Sequence, residues 1–476
     1  MAEKYEYDAI IIGAGPNGIS AGIYLAEKGL KVLIVEASNK PGGGTRTDEL
    51  TLPGFHHDVC SAVHPTGYLS PYFKKLKLED YGLEWIFPEA SVAHPLDNEP
   101  AVILSKSIQE TADNLNGDAN RYIKLITPLV ENAEQIFEDS FNRPGIPKNL
   151  LTMLNFGTKA IFPAKTFANK TFKSHRAKAL FAGCAAHSTL PFDKFFTTAL
   201  GLIFLISGHK ANWPVAKGGS KSIANALLNY YKQNGGEIIY ETKVENLKDL
   251  PKAKSYLFDT DPLQLSKIAD KELPASYKNK LNNFNYGPAV FKIDYALKES
   301  IPWKDPRCLK ASTAHLGGTL DEIAFAEKQV WKGEHSEKPY VLLAQQSEFD
   351  DTRSPEGQHT CWAYCHVPFG SDKDMSEIIE NQIERFAPGF KDVILAKSHF
   401  SPKMYQEYNP NYIGGVISGG ATDVTQLFTR PVARLNPYTT PSSNIFICSS
   451  STPPGGGVHG MCGHNAAQTV FEKLFK

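Results

Sequence analysis

No run of about eighteen apolar residues occurs in the 476-residue chain, so the sequence offers no membrane-spanning helix. The nearest approach, Phe195 to Gly208, is too short and reads as a core helix. It leaves a peripheral contact with a membrane surface open. Basic runs are missing too, and the net charge is −1. Nucleic acid is therefore not an expected partner. Seven scattered cysteines make no disulfide framework, and no CxxC stands beside a glycine motif. That argues against a disulfide reductase and for a reducing, cytoplasmic setting. The polar opening residues show no signal-peptide pattern. Metal-ligand spacing is also wanting. His56, His57, Asp58, Cys60 and His64 are close in sequence, and His359, Cys361 and Cys365 share a strand face. Neither group has the paired spacing of a zinc site, so no metal is expected.

What is present begins at once. Tyr5 to Ile12 ends in a β-branched run that suits a buried strand. Gly13-Ala14-Gly15-Pro16-Asn17-Gly18 follows, then a helical pattern closed by Gly29, then a second apolar run, Leu30 to Val35, ending at Glu36. Strand, glycine turn, helix, strand and acid in this order bind a dinucleotide. Gly13 allows the turn, Gly15 lets the backbone approach a pyrophosphate, and Gly18 lets the helix pack on the strand. Glu36 stands where an acid meets ribose hydroxyls. Gly42-Gly43-Gly44-Thr45-Arg46-Thr47 comes soon after, placing backbone and the Arg46 guanidinium near the same ligand.

Residues 68–212 read as helical and rich in phenylalanine, the makings of a core or of an apolar substrate tunnel. A second glycine turn at Trp213–Ser220 leads into a helix ended by Gly235-Gly236, then a strand at Glu237–Val244 and a short one at Lys254–Asp259, which reads as a return to the nucleotide-binding sheet. A second sheet with helices is expected from Tyr286 to Tyr412, with strands at Ala289–Ala296, Tyr340–Gln345 and His359–Val367. Near the end, a buried strand at Asn444–Cys448 leads into Gly455-Gly456-Gly457-Val458-His459-Gly460-Met461 and the last helix. Gly455, Gly457 and Gly460 have GxGxxG spacing, but no strand and acid follow. The turn reads instead as an anion site at a helix N-terminus.

These three glycine segments together resemble the phytoene desaturase-like flavoproteins, which include carotenoid desaturases and isomerases. Within them the sequence is most similar to the pyridine nucleotide-disulfide oxidoreductase domain-containing protein 2 group. The resemblance extends through Trp213–Ser220, Tyr286–Ala296 and Arg385–Phe390. It implies an α/β fold, with a Rossmann-type FAD-binding domain and a discontinuous α+β substrate domain of the amine oxidase and phytoene desaturase kind. FAD-binding segments would be 1–67, 213–275 and 430–476, and substrate-domain segments 68–212 and 276–429. By the same resemblance FAD is the cofactor. Gly13, Gly15 and Gly18 would hold its pyrophosphate, Glu36 its ribose, and Gly43, Gly44 and Arg46 the phosphate–flavin region. Val244 would meet the adenine, and Gly457, Val458, His459, Gly460 and Met461 would lie by the isoalloxazine. Carotenoid desaturases usually have proline where His459 stands, and His459 is read as filling space.

The expected activity is hydride transfer between flavin N5 and a C–H of an apolar, isoprenoid- or polyene-like substrate, making, reducing or isomerising a C=C bond. His57, Asp58 and His64 are the candidate acid–base residues. The electron acceptor (oxygen, quinone or NAD(P)) and the oligomeric state are not encoded legibly. Two other readings stand beside this one: an amine oxidase-like flavoenzyme, and a flavin-binding regulatory protein without turnover.

Overall fold

The computed structural model describes residues 5–476, so the first four residues of segment 1–67 lie outside the described residues. Two sheets organise them. The first is parallel, in the order Ile445–Ile447, Ala253–Phe258, Tyr7–Ile12, Val32–Val35 and Glu237–Ile239. Val32–Val35 and the end of Tyr7–Ile12 are all Ile, Leu and Val because helices or apolar loops cover both faces there. The helix Pro16–Glu27 packs on the sheet between Lys221–Gln233 and the last helix, Met461–Leu474. A Cβ on Gly463 would stand 1.7 Å from the Asn17 carbonyl oxygen, so glycine sets that close approach. The chain leaves Tyr7–Ile12 toward Val32–Val35 on one side, and Ala253–Phe258 lies on the other. The carboxyl ends therefore open a crevice where ligands of such sheets bind.

The second sheet is mixed, in the order Ile394–Phe400, Ala289–Leu297, His359–Val367, Val341–Ala344, Ala311–Leu316, Ala90–Leu96 and Glu99–Ser105. One face covers an apolar core that includes Cys361 and Cys365, backed by the helix Ser376–Phe386. The other faces the crevice and the helices His175–Ala186 and Thr197–Ala211.

The phenylalanine-rich stretch contains more than helices. Ala90–Leu96 and Glu99–Ser105 form a hairpin on the second sheet, turned at Asp97-Asn98, with Asn98 at φ 56°. The strand expected from Glu237 runs only to Ile239, because Glu241 takes φ 52° and Thr242 N–H donates to the Glu36 carbonyl. Phe195 to Gly208 lies largely within the buried helix Thr197–Ala211. Among the described residues no helix is long and apolar enough to cross a membrane, and no three His, Cys, Asp or Glu side chains gather as a metal would require.

Candidate functional site

The glycine turn leaves Ile12 with Gly13 at φ +105°, a conformation that suits glycine. Glu36 then closes the turn from the next strand. Its Oε2 accepts the Ala14 N–H at 2.8 Å, and its Oε1 accepts the Ser38 N–H at 2.8 Å and Arg46 Nη2–H at 3.2 Å. An ionised carboxylate has about four acceptor positions. Three are filled by the protein, so Oε2 retains one for a ribose hydroxyl. Gly43 folds back onto this turn: a Cβ there would lie 3.2 Å from Gly15 Cα. A Cβ on Gly44 would lie 2.9 Å from the Tyr412 hydroxyl oxygen. The two glycine loops thus form a single cradle, with the Arg46 guanidinium packed over the Tyr408 ring at 5.7 Å.

The cradle opens into a cavity of about 920 Å³. Gly13, Gly15, Glu36, Gly43, Gly44, Arg46, Val244, Gly457 and Val458 line it together, although they come from four distant parts of the chain. Gly18, His459, Gly460 and Met461 stand behind the wall instead. A Cβ on Gly18 would be 2.2 Å from the Gly13 carbonyl oxygen. His459 is buried against Phe141; its Nδ1 accepts the Met461 N–H at 3.1 Å, and its carbonyl accepts the Ser70 hydroxyl at 2.7 Å. Burial pushes the His459 imidazole down to about 4. It is a neutral group that fixes the last turn onto Ser70.

A carboxyl group not singled out in the sequence sits in the cradle. Asp259 follows Ala253–Phe258, and its Oδ2 accepts the Gly18 N–H at 2.8 Å. A Cβ on Gly15 would be 2.6 Å from that same oxygen. Burial, aided by the Glu36 charge, raises Asp259 to about 8. The side chain is therefore neutral at pH 7 and adds no negative charge where a diphosphate would lie.

The three acid–base candidates separate. His64 lines the cavity, with Nε2 2.8 Å from the Ser220 hydroxyl oxygen, and burial lowers it to about 4. His57 and Asp58 do not line it. His57 is fully buried, and burial together with the nearby Lys292 charge drops it to about 3. Its 3.7 Å approach to Asp294 is thus a contact of a neutral ring, not an ion pair. Asp58 is locked among Arg353 Nη2 at 2.6 Å, the Thr47 hydroxyl at 2.7 Å and the Ser220 N–H at 2.8 Å. Arg353 also donates to Asp350 at 2.8 Å. Burial works against the Asp58 charge, but Arg353 and the two further donors outweigh it and hold the carboxyl below its ordinary value. A carboxylate so tied is a poor base. The geometry makes Asp58 a strut between the cradle and the 350–353 segment of the second sheet's loops.

Beyond the cradle the wall becomes aromatic. Trp362 and Tyr364 stack at 5.5 Å, and Phe204, Trp213 and His187 close the opposite side. His366 belongs to the same wall, with Nδ1 held 2.8 Å and 2.9 Å from the two Glu327 oxygens. This pair spans two elements, and no local spacing advertises it.

The Rossmann geometry agrees with relationships to known proteins. Residues 11–76 match the family described as NAD(P)-binding Rossmann-like domain. Over 99% of its length the chain is 24% identical to pyridine nucleotide-disulfide oxidoreductase domain-containing protein 2 of Mus musculus, covering 94% of that protein. It is also 24% identical, over 99% of its length, to prolycopene isomerase 2 of an Oncidium hybrid cultivar, covering 86% of that protein. The structure superposes on putrescine oxidase bound to putrescine with a TM-score of 0.62 at 16% identity, covering 99% of both chains. The protein is therefore an oxidoreductase homologous along its whole length to the phytoene desaturase-like enzymes, on the fold shared with the amine oxidases.

Proposed function

We propose that the protein binds FAD and dehydrogenates, saturates or isomerises a C=C bond of an apolar substrate. One observation carries this: a single cavity runs from a diphosphate-type glycine cradle to an aromatic wall. Its volume of about 920 Å³ is near the top of the range for ligand pockets.

The residues fit the cofactor. Gly15 lets the backbone come close to a diphosphate at the positive N-terminal end of Pro16–Glu27, while the Gly13 N–H is given to the Val35 carbonyl and the Gly18 N–H to Asp259, each at 2.8 Å. Glu36 keeps an acceptor for a ribose hydroxyl, and its charge disfavours a 2′-phosphate. Gly43, Gly44, Arg46, Gly457 and Val458 would enclose the ring system. When bound, the flavin supplies two-electron chemistry, with N5 exchanging hydride with a substrate C–H. The chain's own work is to bind, orient and exclude water. The aromatic wall holds the substrate's apolar body, and His64 is the sequence candidate that remains on the wall to handle a proton.

The amine oxidase reading gains the aromatic wall but lacks an anion. Among the described residues that line the cavity beyond the cradle, from His187 through Phe204, Trp213, Leu342 and Trp362 to His366, there is no carboxylate to hold an ammonium group. Anaerobic mixing with a panel of isoprenoids, polyenes and amines tests the assignment. Bleaching of the flavin by an isoprenoid or polyene supports it; bleaching by amines alone supports the second reading, and a flavin bleached by none supports a role without turnover.

A further inference from the structure

The half of the cavity beyond the cradle is not purely apolar. Trp362, Tyr364 and His366 alternate along one strand and so face the same side of the second sheet. Thr313 reaches that side two strands away, since it pairs with Ala344, which pairs with Trp362. Ser188 enters from the end of His175–Ala186. Four polar atoms on this wall make no hydrogen bond within the protein: Ser188 Oγ, Thr313 Oγ1, Trp362 Nε1 and His366 Nε2. Their residues are only 1–4% exposed. Buried polar groups are nearly always paired, so a cluster of unpaired ones around a cavity points to a ligand that pairs them.

The chemistry of the set narrows the ligand. In the neutral imidazole, the Nδ1–H given to Glu327 leaves His366 Nε2 as an acceptor. Trp362 Nε1 only donates, and the two hydroxyls do either. Together they offer one acceptor and several donors, the complement of an alcohol. Lys40, Arg46 and Lys243 are the lining cations, and all belong to the cofactor half. With neither cation nor carboxylate on the inner wall, the complementary group is neutral.

We propose, resting on the reading of this half of the cavity as the substrate's, that the substrate is an apolar chain or ring bearing one hydroxyl. The hydroxyl donates to His366 Nε2 and accepts from the Thr313, Ser188 or Trp362 donors. A pure hydrocarbon would leave all four groups desolvated and unpaired, which disfavours it strongly.

The test is a titration of the purified full chain with farnesol, with farnesene as the hydrocarbon counterpart and with farnesol methyl ether, which cannot donate. Quenching of tryptophan fluorescence reads binding, because Trp213 and Trp362 line the cavity. Farnesol is expected to bind about tenfold or more tighter than farnesene, with the ether weakened toward the hydrocarbon. Thr313→Val and His366→Phe should each narrow the ratio while flavin content, read by absorbance on the same samples, stays unchanged. Equal affinity of farnesol and farnesene for the wild-type protein overturns the proposal without needing either variant, and so does failure of both to bind. A colourless protein that still prefers the alcohol would instead overturn the FAD assignment and leave this one standing.

Discussion

Replacing Asp58 by asparagine separates its two readings, base or strut. In the folded chain Asp58 and Arg353 are both fully buried. The amide introduced by Asp58→Asn would keep an acceptor for the Thr47 hydroxyl and the Ser220 N–H but would turn its N–H₂ toward the guanidinium, or the reverse. Breaking a buried pair from one side costs roughly 3–5 kcal/mol. Asp350 still faces Arg353 at 2.8 Å, so the guanidinium is not left without a counter-charge. That places the expected loss near the lower end, about 3 kcal/mol. Urea unfolding of the holoprotein should show the midpoint falling with little change in slope. Flavin reduction by substrate should stay within a few-fold of wild type. The acid limb should change as well. The Asp58 pKa is depressed below its ordinary 3.8, so its contribution is present above that value and lost as pH falls through the folded-state pKa. The asparagine variant should lack this component of acid unfolding. An unchanged midpoint together with roughly a hundredfold or greater slowing of reduction would refute the reasoning and restore Asp58 as a general base.

Two further outcomes follow from the cradle. Asp259 is neutral below about 8 and ionises above it beside the cradle where a diphosphate would sit, so FAD affinity should weaken as pH rises through that value. Asp259→Asn should flatten the profile; flavin fluorescence titrations on either side of this pH would show it, and a flat wild-type profile would contradict it. Gly18→Ala forces a Cβ to 2.2 Å from a backbone oxygen. The turn must open, which should cost about 1–3 kcal/mol and most of the bound flavin; a variant purified with full flavin and wild-type melting would argue against the close packing described.

The strand, glycine turn and second strand were legible because β-branched runs and glycines act locally. The strand His359–Val367 is legible at its full length through Thr360, Trp362, Tyr364 and Val367, residue types that favour strands. The hairpin Ala90–Leu96 and Glu99–Ser105 was hidden. Its first strand is buried on both faces and carries Pro95 and His94, so it neither alternates nor favours strand by composition. Pro95 is accommodated where the pairing register shifts between His94 and Leu96. The site followed the same division. Residues of the cofactor cradle announced themselves through glycine spacing. Asp58 was visible but its partner Arg353 is 295 residues away, and Glu327 and His366 meet only because a helix packs on a strand. Charge partners brought together by tertiary packing leave no local pattern.

The central claim is that the cradle holds FAD at the head of a substrate cavity. The most direct measurement is the identity and amount of cofactor released from the purified chain by denaturation. Roughly one FAD per chain is expected, since a single cradle of this type is completed by a strand and an acid. A colourless protein that cannot be reconstituted with FAD, or one that takes up a nicotinamide dinucleotide in its place, would contradict it.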